Sequence, residues 1–311
     1  MTTKAASILK GLKLPARDAY HLPTSSKRFA DGDAYRVEIP SCEGPKALRA
    51  VIDEANARNV RVHRISQGSG IMLQTDDEIR EMLELGAQHG IEVCLFVGPR
   101  ANWDTGGQAA SSAGRVLGSS LRGADQLAYG IEDVLHGVQL GLRSILVADL
   151  GQLQILGHMK HTGDLPPDFV LKISVTLAAA NPATARLMED LGATSINLPV
   201  DLSLPQIAAI RQAIGAAIDL YMESPDDFGG AVRHYETAEV VRIAAPIYLK
   251  YGLRNAPPLY PSGLHQEALV IALSRERVRR AAIGLALLER NNTKAPGPRP
   301  KAQGKAGRRR R

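Results

Sequence analysis

Cysteine is nearly absent: 311 residues hold only Cys42 and Cys94, with no Cys-x-x-Cys spacing. This argues against a disulfide framework, a cysteine-based zinc site and a four-cysteine iron–sulfur cluster within the chain. A reducing cytoplasm is the compartment expected of such a composition. Aromatic residues make up 4%, too few for a basic face interleaved with stacking rings. No apolar run approaches the ~18 residues of a membrane span, and residues 1–17 are basic but lack the apolar core of a secretory signal. No Gly-x-Gly-x-x-Gly follows the first β-branched run, so the usual sign of a dinucleotide-binding open sheet is missing. A Gly-x-Ser-x-Gly elbow is missing too, and neither cysteine has an obvious histidine base.

What the chain does have is an alternation. Eight short β-branched runs, at 35–40, 60–66, 91–97, 144–149, 170–175, 195–199, 218–223 and 246–251, each hand over to an amphipathic stretch. Strand–helix units of this length predict a parallel sheet wrapped by helices. Eight of them in about 250 residues fit a closed (β/α)8 TIM-type barrel better than an open sheet. The organisation expected is an N-terminal extension (1–33), a barrel (34–291) and a basic tail (292–311). The tail carries eight positive charges, so the net +6 becomes −2 for the rest of the chain. Its Gly/Pro/Ala/Lys/Arg composition cannot build a core and reads as disordered. It serves either as a solvated tail or as a weak contact for polyanions.

In a barrel, alternate strand residues face inward and the others meet the helices. Sending the apolar set outward leaves Arg36 and Glu38, Arg61 and His63, Glu92, Cys94 and Phe96, and Ser144, Leu146 and Ala148 inside the first four strands. In the last four it leaves Lys172 and Ser174, Ser195 and Asn197, Asp219, Tyr221 and Glu223, and Tyr248 and Lys250. A bulge would reverse the parity of any strand. Buried charges are costly unless paired, so Arg36, Arg61, Glu92 and Asp219, near the strand starts, are expected to plug the floor as ion pairs. Glu38, His63, Lys172, Asn197, Glu223 and Lys250 lie nearer the C-terminal mouth, where barrel active sites sit, with structural pairing as the alternative.

The loops at that mouth add further candidates. The third βα loop, from Gly98 to about Gly123, far exceeds the usual two to six residues. With Arg100, Asn102, Trp103, Asp104, Gly106–Gly107, Arg115 and Arg122 it suits a lid, or else a packed loop or oligomer contact. The turn Gln67–Gly68–Ser69–Gly70 would offer backbone N–H groups to an anion. Asp149 stands at the exit of the fourth strand. Arg254 and Asn255 open the eighth loop, stiffened by Pro257 and Pro258, and Arg254 suits a carboxylate or phosphate. Lys172 would form a Schiff base if desolvated, or a salt bridge if not.

One stretch carries a family signature. Asn181–Pro182 opens a helix, Leu191–Gly192–Ala193 turns, a strand follows from Ser195, and Asp201–Leu202–Ser203–Leu204 enters the next helix. This resembles the U32 peptidase-like family, closely over about 50 residues and loosely over about 200. The resemblance implies a barrel and a cytoplasmic bacterial setting. Where the family has His-Gly and then cysteines after strand seven, this chain has Met222–Glu223–Ser224–Pro225. The cluster-dependent hydroxylations of some relatives therefore do not carry over.

Two cations, Arg254 and Lys250, with Lys172 and Arg100, are expected to hold carboxylate or phosphate groups, while Glu223, Glu38 or His63 moves protons. Glu223, Lys250 and Arg254 are expected to meet in one pocket. The function expected is lyase-, isomerase- or aldolase-like chemistry on a small anionic metabolite. A divalent metal on Glu38, His63 and Glu223 is an open possibility. Alternatives are a peptidase-like hydrolase and a non-catalytic RNA-associated protein using the tail. A homo-oligomer stays open, and no membrane or iron–sulfur cofactor is expected.

Overall fold

The computed structural model describes residues 3–103, 107–112, 114 and 117–291. Asp104, Gly106, Arg115 and the basic tail lie outside these residues. Eight parallel strands, β1 Tyr35–Pro40, β2 Arg64–Ser66, β3 Glu92–Phe96, β4 Ser144–Val147, β5 Val170–Ile173, β6 Ser195–Asn197, β7 Ala217–Glu223 and β8 Ile247–Tyr251, close in sequential order. The expected (β/α)8 TIM-type barrel is the fold observed.

The helices are α1 Lys4–Gly11, α2 Pro45–Ala57, α3 Asp76–His89, α4 Gly107–Ala110, α5 Gly123–Gln139, α6 Leu150–Thr162, α7 Pro182–Asp190, α8 Leu204–Ala213, α9 Thr237–Ala244 and α10 Glu267–Asn291. Their starts are written locally. Thr75 and Glu78 form a capping box on α3, Asp149 caps α6 through the Gln152 N–H, and Asn181 caps α7 ahead of Pro182. Among the described residues no helix is long and apolar enough to cross a membrane.

The outward strand residues, such as Val37, Ile39, Ile65, Leu171 and Leu249, are buried against the helices. Inside the barrel the lower layers are ionic. Arg64 donates to Glu92 (2.9 Å), Asp219 (3.3 Å), Ser195 (3.3 Å) and Glu38 (3.5 Å), and stacks 3.6 Å from the centre of the Tyr248 ring. The expected ionic floor therefore exists, but two of its members differ. Arg61 turns outward to Asp33 at 3.8 Å, with a side chain 36% exposed, and Arg36 pairs with Asp31 at 2.7 Å near the barrel's rim.

The parity expected for the second strand is reversed: Arg64 and Ser66, not Arg61 and His63, face the interior. The ladder starts only at Arg64, opposite Glu38. Just before it, the His63 imidazole Nδ1 accepts the Val37 N–H at 3.1 Å. A side chain thus stands where a strand carbonyl would accept, and the alternation slips by one residue.

Candidate active site

The C-terminal ends of the strands surround a cavity of about 630 Å³. Its floor is formed by Ser66, Ser174, Asn197, Tyr221 and Lys250, and its walls include Arg100, Trp103, Phe228, Tyr260 and Arg277. Of the expected residues, Lys250, Asn197, Gln67 and Arg100 line it, as do Gly68, Asn102 and Trp103 from the mouth loops.

Directly beneath lies Glu38, fully buried on β1. Oε1 accepts from Ser66 Oγ at 2.7 Å and from the Lys172 ammonium, and Lys250 Nζ stands 3.5 Å away. Burial alone would raise its pKa, but Lys172, Lys250 and Arg64 outweigh burial and hold the carboxyl well below the usual range. Asp219, 3.6 Å from Lys172, shifts the other way because burial dominates there. Of the interior charges Glu38, Arg64, Glu92, Lys172, Asp219 and Lys250, only Lys250 reaches the cavity. Its ammonium sits 4.2 Å from the Tyr221 ring centre. With the Asn197 amide oriented so that both its atoms find partners, Oδ1 accepts from Lys250 at 2.8 Å and Nδ2 donates to the Asp219 carbonyl at 3.2 Å. An ammonium has three donors, so after Asn197 and Glu38 one remains for a ligand.

Several expected site residues lie elsewhere. Glu223 does not join Lys250. A bulge between Tyr221 and Glu223 pairs Tyr221 with Lys250 and Glu223 with Tyr251, so the glutamate turns toward the helices. There Oε1 accepts the Arg254 N–H at 3.1 Å, and Oε2 meets Arg280 at 3.4 Å and His234 at 3.5 Å. Arg254 points outward, its side chain 62% exposed and 3.7 Å from Asp226, and Asn255 is exposed, its N–H also bonded to Asp226. Neither lines the cavity. His63 sits ahead of β2 at the opposite end, held near pKa 3 by burial and by Arg61 and Arg36. Lys172 lies below the floor, paired with Glu38 and Asp219. Asp149 is a helix cap that also accepts the Leu121 N–H at 3.1 Å.

The Gln67–Gly70 turn is not an open anion cradle. Its N–H groups already go to protein oxygens: Gly68 and Ser69 donate to Glu43 at 2.6 and 3.1 Å, and Gly70 donates to Gln67 Oε1 at 2.9 Å. Arg100 braces the same turn, donating to the Gly68 and Ser69 carbonyls at 2.9 and 3.3 Å. Its guanidinium is sandwiched between Phe96 and Trp103, and burial lowers its pKa to about 10.

The metal set expected from Glu38, His63 and Glu223 is not assembled, since the three occupy the interior, the barrel's far end and the helix side. Among the described residues no group of three His, Cys, Asp or Glu side chains is placed to share an ion. Cys42 and Cys94 are both buried free thiols, and two thiols do not fit the four-thiolate cluster of some U32-like proteins.

Sequence reasoning missed Arg64, Glu43 and Arg277. Arg277 sits in the run Arg275–Glu276–Arg277–Val278–Arg279–Arg280, which reads as a solvated face. Its spacing tells otherwise: Val270, Ser274, Arg277, Val278, Ala281 and Leu288 are the buried stripe of α10.

The barrel is similar to that of the YdjI aldolase from Escherichia coli K12, with 14% identity over 83% of this chain and 94% of that one and a TM-score of 0.51. It is also similar to a proposed fructose-1,6-biphosphate aldolase from Coccidioides immitis, with 10% identity over 83% and 93% of the two chains and a TM-score of 0.50. At these identities the likeness is one of fold. No curated protein matches the chain. The model of peptidase family U32 matches residues 122–223, about a third of the chain, and includes the stretch whose resemblance is read above. From α5 through β7, this chain is similar to peptidase family U32.

Proposed function

We propose that this chain is a TIM-barrel enzyme acting on a small carboxylated or phosphorylated metabolite by acid/base chemistry of the lyase, isomerase or aldol kind. One observation carries the reading: Lys250 alone extends the interior charge network into the cavity. Asn197 and Glu38 fix the position of its ammonium at the cavity floor, and in this reading a remaining N–H stabilises the oxygen that develops negative charge. A donor held in place before the reaction needs no reorganisation during it. Glu38 stays ionised beneath and is the fixed countercharge rather than a group that touches substrate. Lys172 anchors Glu38 from the far side. Arg100 and Gln67 shape the wall, and Trp103 supplies an aromatic face. The activity named for the YdjI aldolase falls within this reaction range.

The family's name makes a peptidase-like hydrolase the alternative. Against it, no histidine among the described residues lines the cavity to form a serine–histidine pair. The test is an untargeted metabolite screen with purified full-length protein. Consumption of a low-molecular-weight carboxylate or phosphate supports the reading, whereas turnover of peptides alone contradicts it.

A further inference from the structure

Resting on that reading, we propose that Arg277, from the middle of α10, holds the anionic group of the ligand, a carboxylate or a phosphate, at a cavity wall shared with Ser41 and Tyr260. Arg277 is 2% exposed and lines the cavity. Nη1 donates to the Ser41 carbonyl at 3.3 Å, and the buried Nε has no partner. Among the described residues it forms no ion pair. Its neighbours Arg279 and Arg280 differ: both bond Glu276, at 2.7 Å each. Arg64, equally buried, meets three carboxylates.

The carboxylate in Arg277's electrostatic surroundings is Glu43, whose oxygens are taken by the Gly68 and Ser69 N–H groups. Burial pulls the Arg277 pKa down, and Tyr260 and Glu43 only partly oppose it. A guanidinium does not deprotonate in proteins, and Glu43 opposes its charge through space without forming a contact ion pair with it. A buried charge without one is disfavoured. An anion in the cavity completes the pair, and the planar guanidinium suits carboxylate or phosphate oxygens.

The surroundings are built for such a guest. The Tyr260 hydroxyl bonds Ser41 Oγ. Gly68 makes room for the Tyr260 ring, since a Cβ there would lie 2.3 Å from Cε1. Tyr221 stands between the two cations' surroundings, under Lys250 at 4.2 Å and within the field of Arg277. A ligand anchored at Arg277 would thus present its reacting oxygen to Lys250.

Trp103 is the only tryptophan and lines the same cavity, so its fluorescence reports occupancy. Inorganic phosphate and malonate are titrated separately into full-length wild type, Arg277→Met, Arg277→Lys and Lys250→Met, with fluorescence and melting temperature recorded. The wild type should give a saturable response to at least one anion, and which one responds assigns the group. Arg277→Met should weaken that response roughly tenfold or more, without lowering the melting temperature of the ligand-free protein. A purely structural arginine would lower it. Arg277→Lys, which keeps charge but loses the fork, should bind with intermediate strength and decides the matter if the methionine variant fails to fold. Wild type that binds neither anion, or Arg277 variants that bind like wild type, overturn the proposal. Binding lost only in Lys250→Met overturns it while leaving the proposed function standing. Binding lost in Arg277→Met alongside full turnover by Lys250→Met supports the anion site and sinks the proposed role of Lys250.

Discussion

His63 shows how one residue sets both geometry and pH response. Its Nδ1 accepts the Val37 N–H, and its Nε2 is buried without a partner, so the ring is neutral in the fold. Burial, with Arg61 and Arg36 adding repulsion, holds it near pKa 3 against an ordinary 6.5. Below about pH 6.5 the unfolded chain takes up this proton and the folded chain does not. Stability from His63 is therefore present above pH 6.5 and is lost as pH falls toward 3, at a slope of up to about 1.4 kcal/mol per pH unit. Melting temperatures measured between pH 7.5 and 4.5 should fall more steeply for wild type than for His63→Gln. Parallel curves would contradict this assignment. His63 was legible as an inward, mouth-facing candidate only because Val60 and Val62 imitate a strand. The imidazole that replaces a ladder acceptor is invisible to alternation.

Between elements, the barrel depends on close approaches that glycines permit. Gly157 on α6 lies against the turn after α7, where an added Cβ would stand 2.0 Å from the Leu191 carbonyl oxygen and 3.7 Å from the Gly192 Cα. Backbone cannot step aside as a flexible side chain can, so Gly157→Ala should destabilise the protein by about 1–3 kcal/mol or more, read as a lower denaturation midpoint at unchanged slope. An unchanged midpoint would show that α6 and α7 are not packed this tightly. The elements themselves were legible, because β-branched runs and helix caps are local features. Inward residues of β3 to β6 and β8, including Lys172, Asn197 and Lys250, followed from parity alone. The end of β7 did not: the bulge that turns Glu223 to Arg280 and His234 depends on its pairing with β8, which a single strand's composition does not encode.

Across the whole molecule, charge is arranged in layers. Paired ions fill the lower barrel, Lys250 marks the boundary, and Arg100 and Arg277 stand in the cavity wall. The closed barrel was legible from eight repeated units, and so was the end at which a site should form. The identity of the wall cation was not. Arg254 had the right position in sequence, yet its loop sends it to solvent beside Asp226, while α10 delivers Arg277 from a run that reads as surface. Lys250 is the charge proposed to meet the substrate. The most direct test compares wild type with Lys250→Met on the metabolite that wild type consumes, measuring kcat and ligand affinity together on folded protein. Removing one pre-organised donor to a developing charge costs about 10²–10³-fold, so kcat should fall by about 100-fold or more while affinity, held largely by the wall, changes little. An unchanged kcat in the methionine variant would contradict the account.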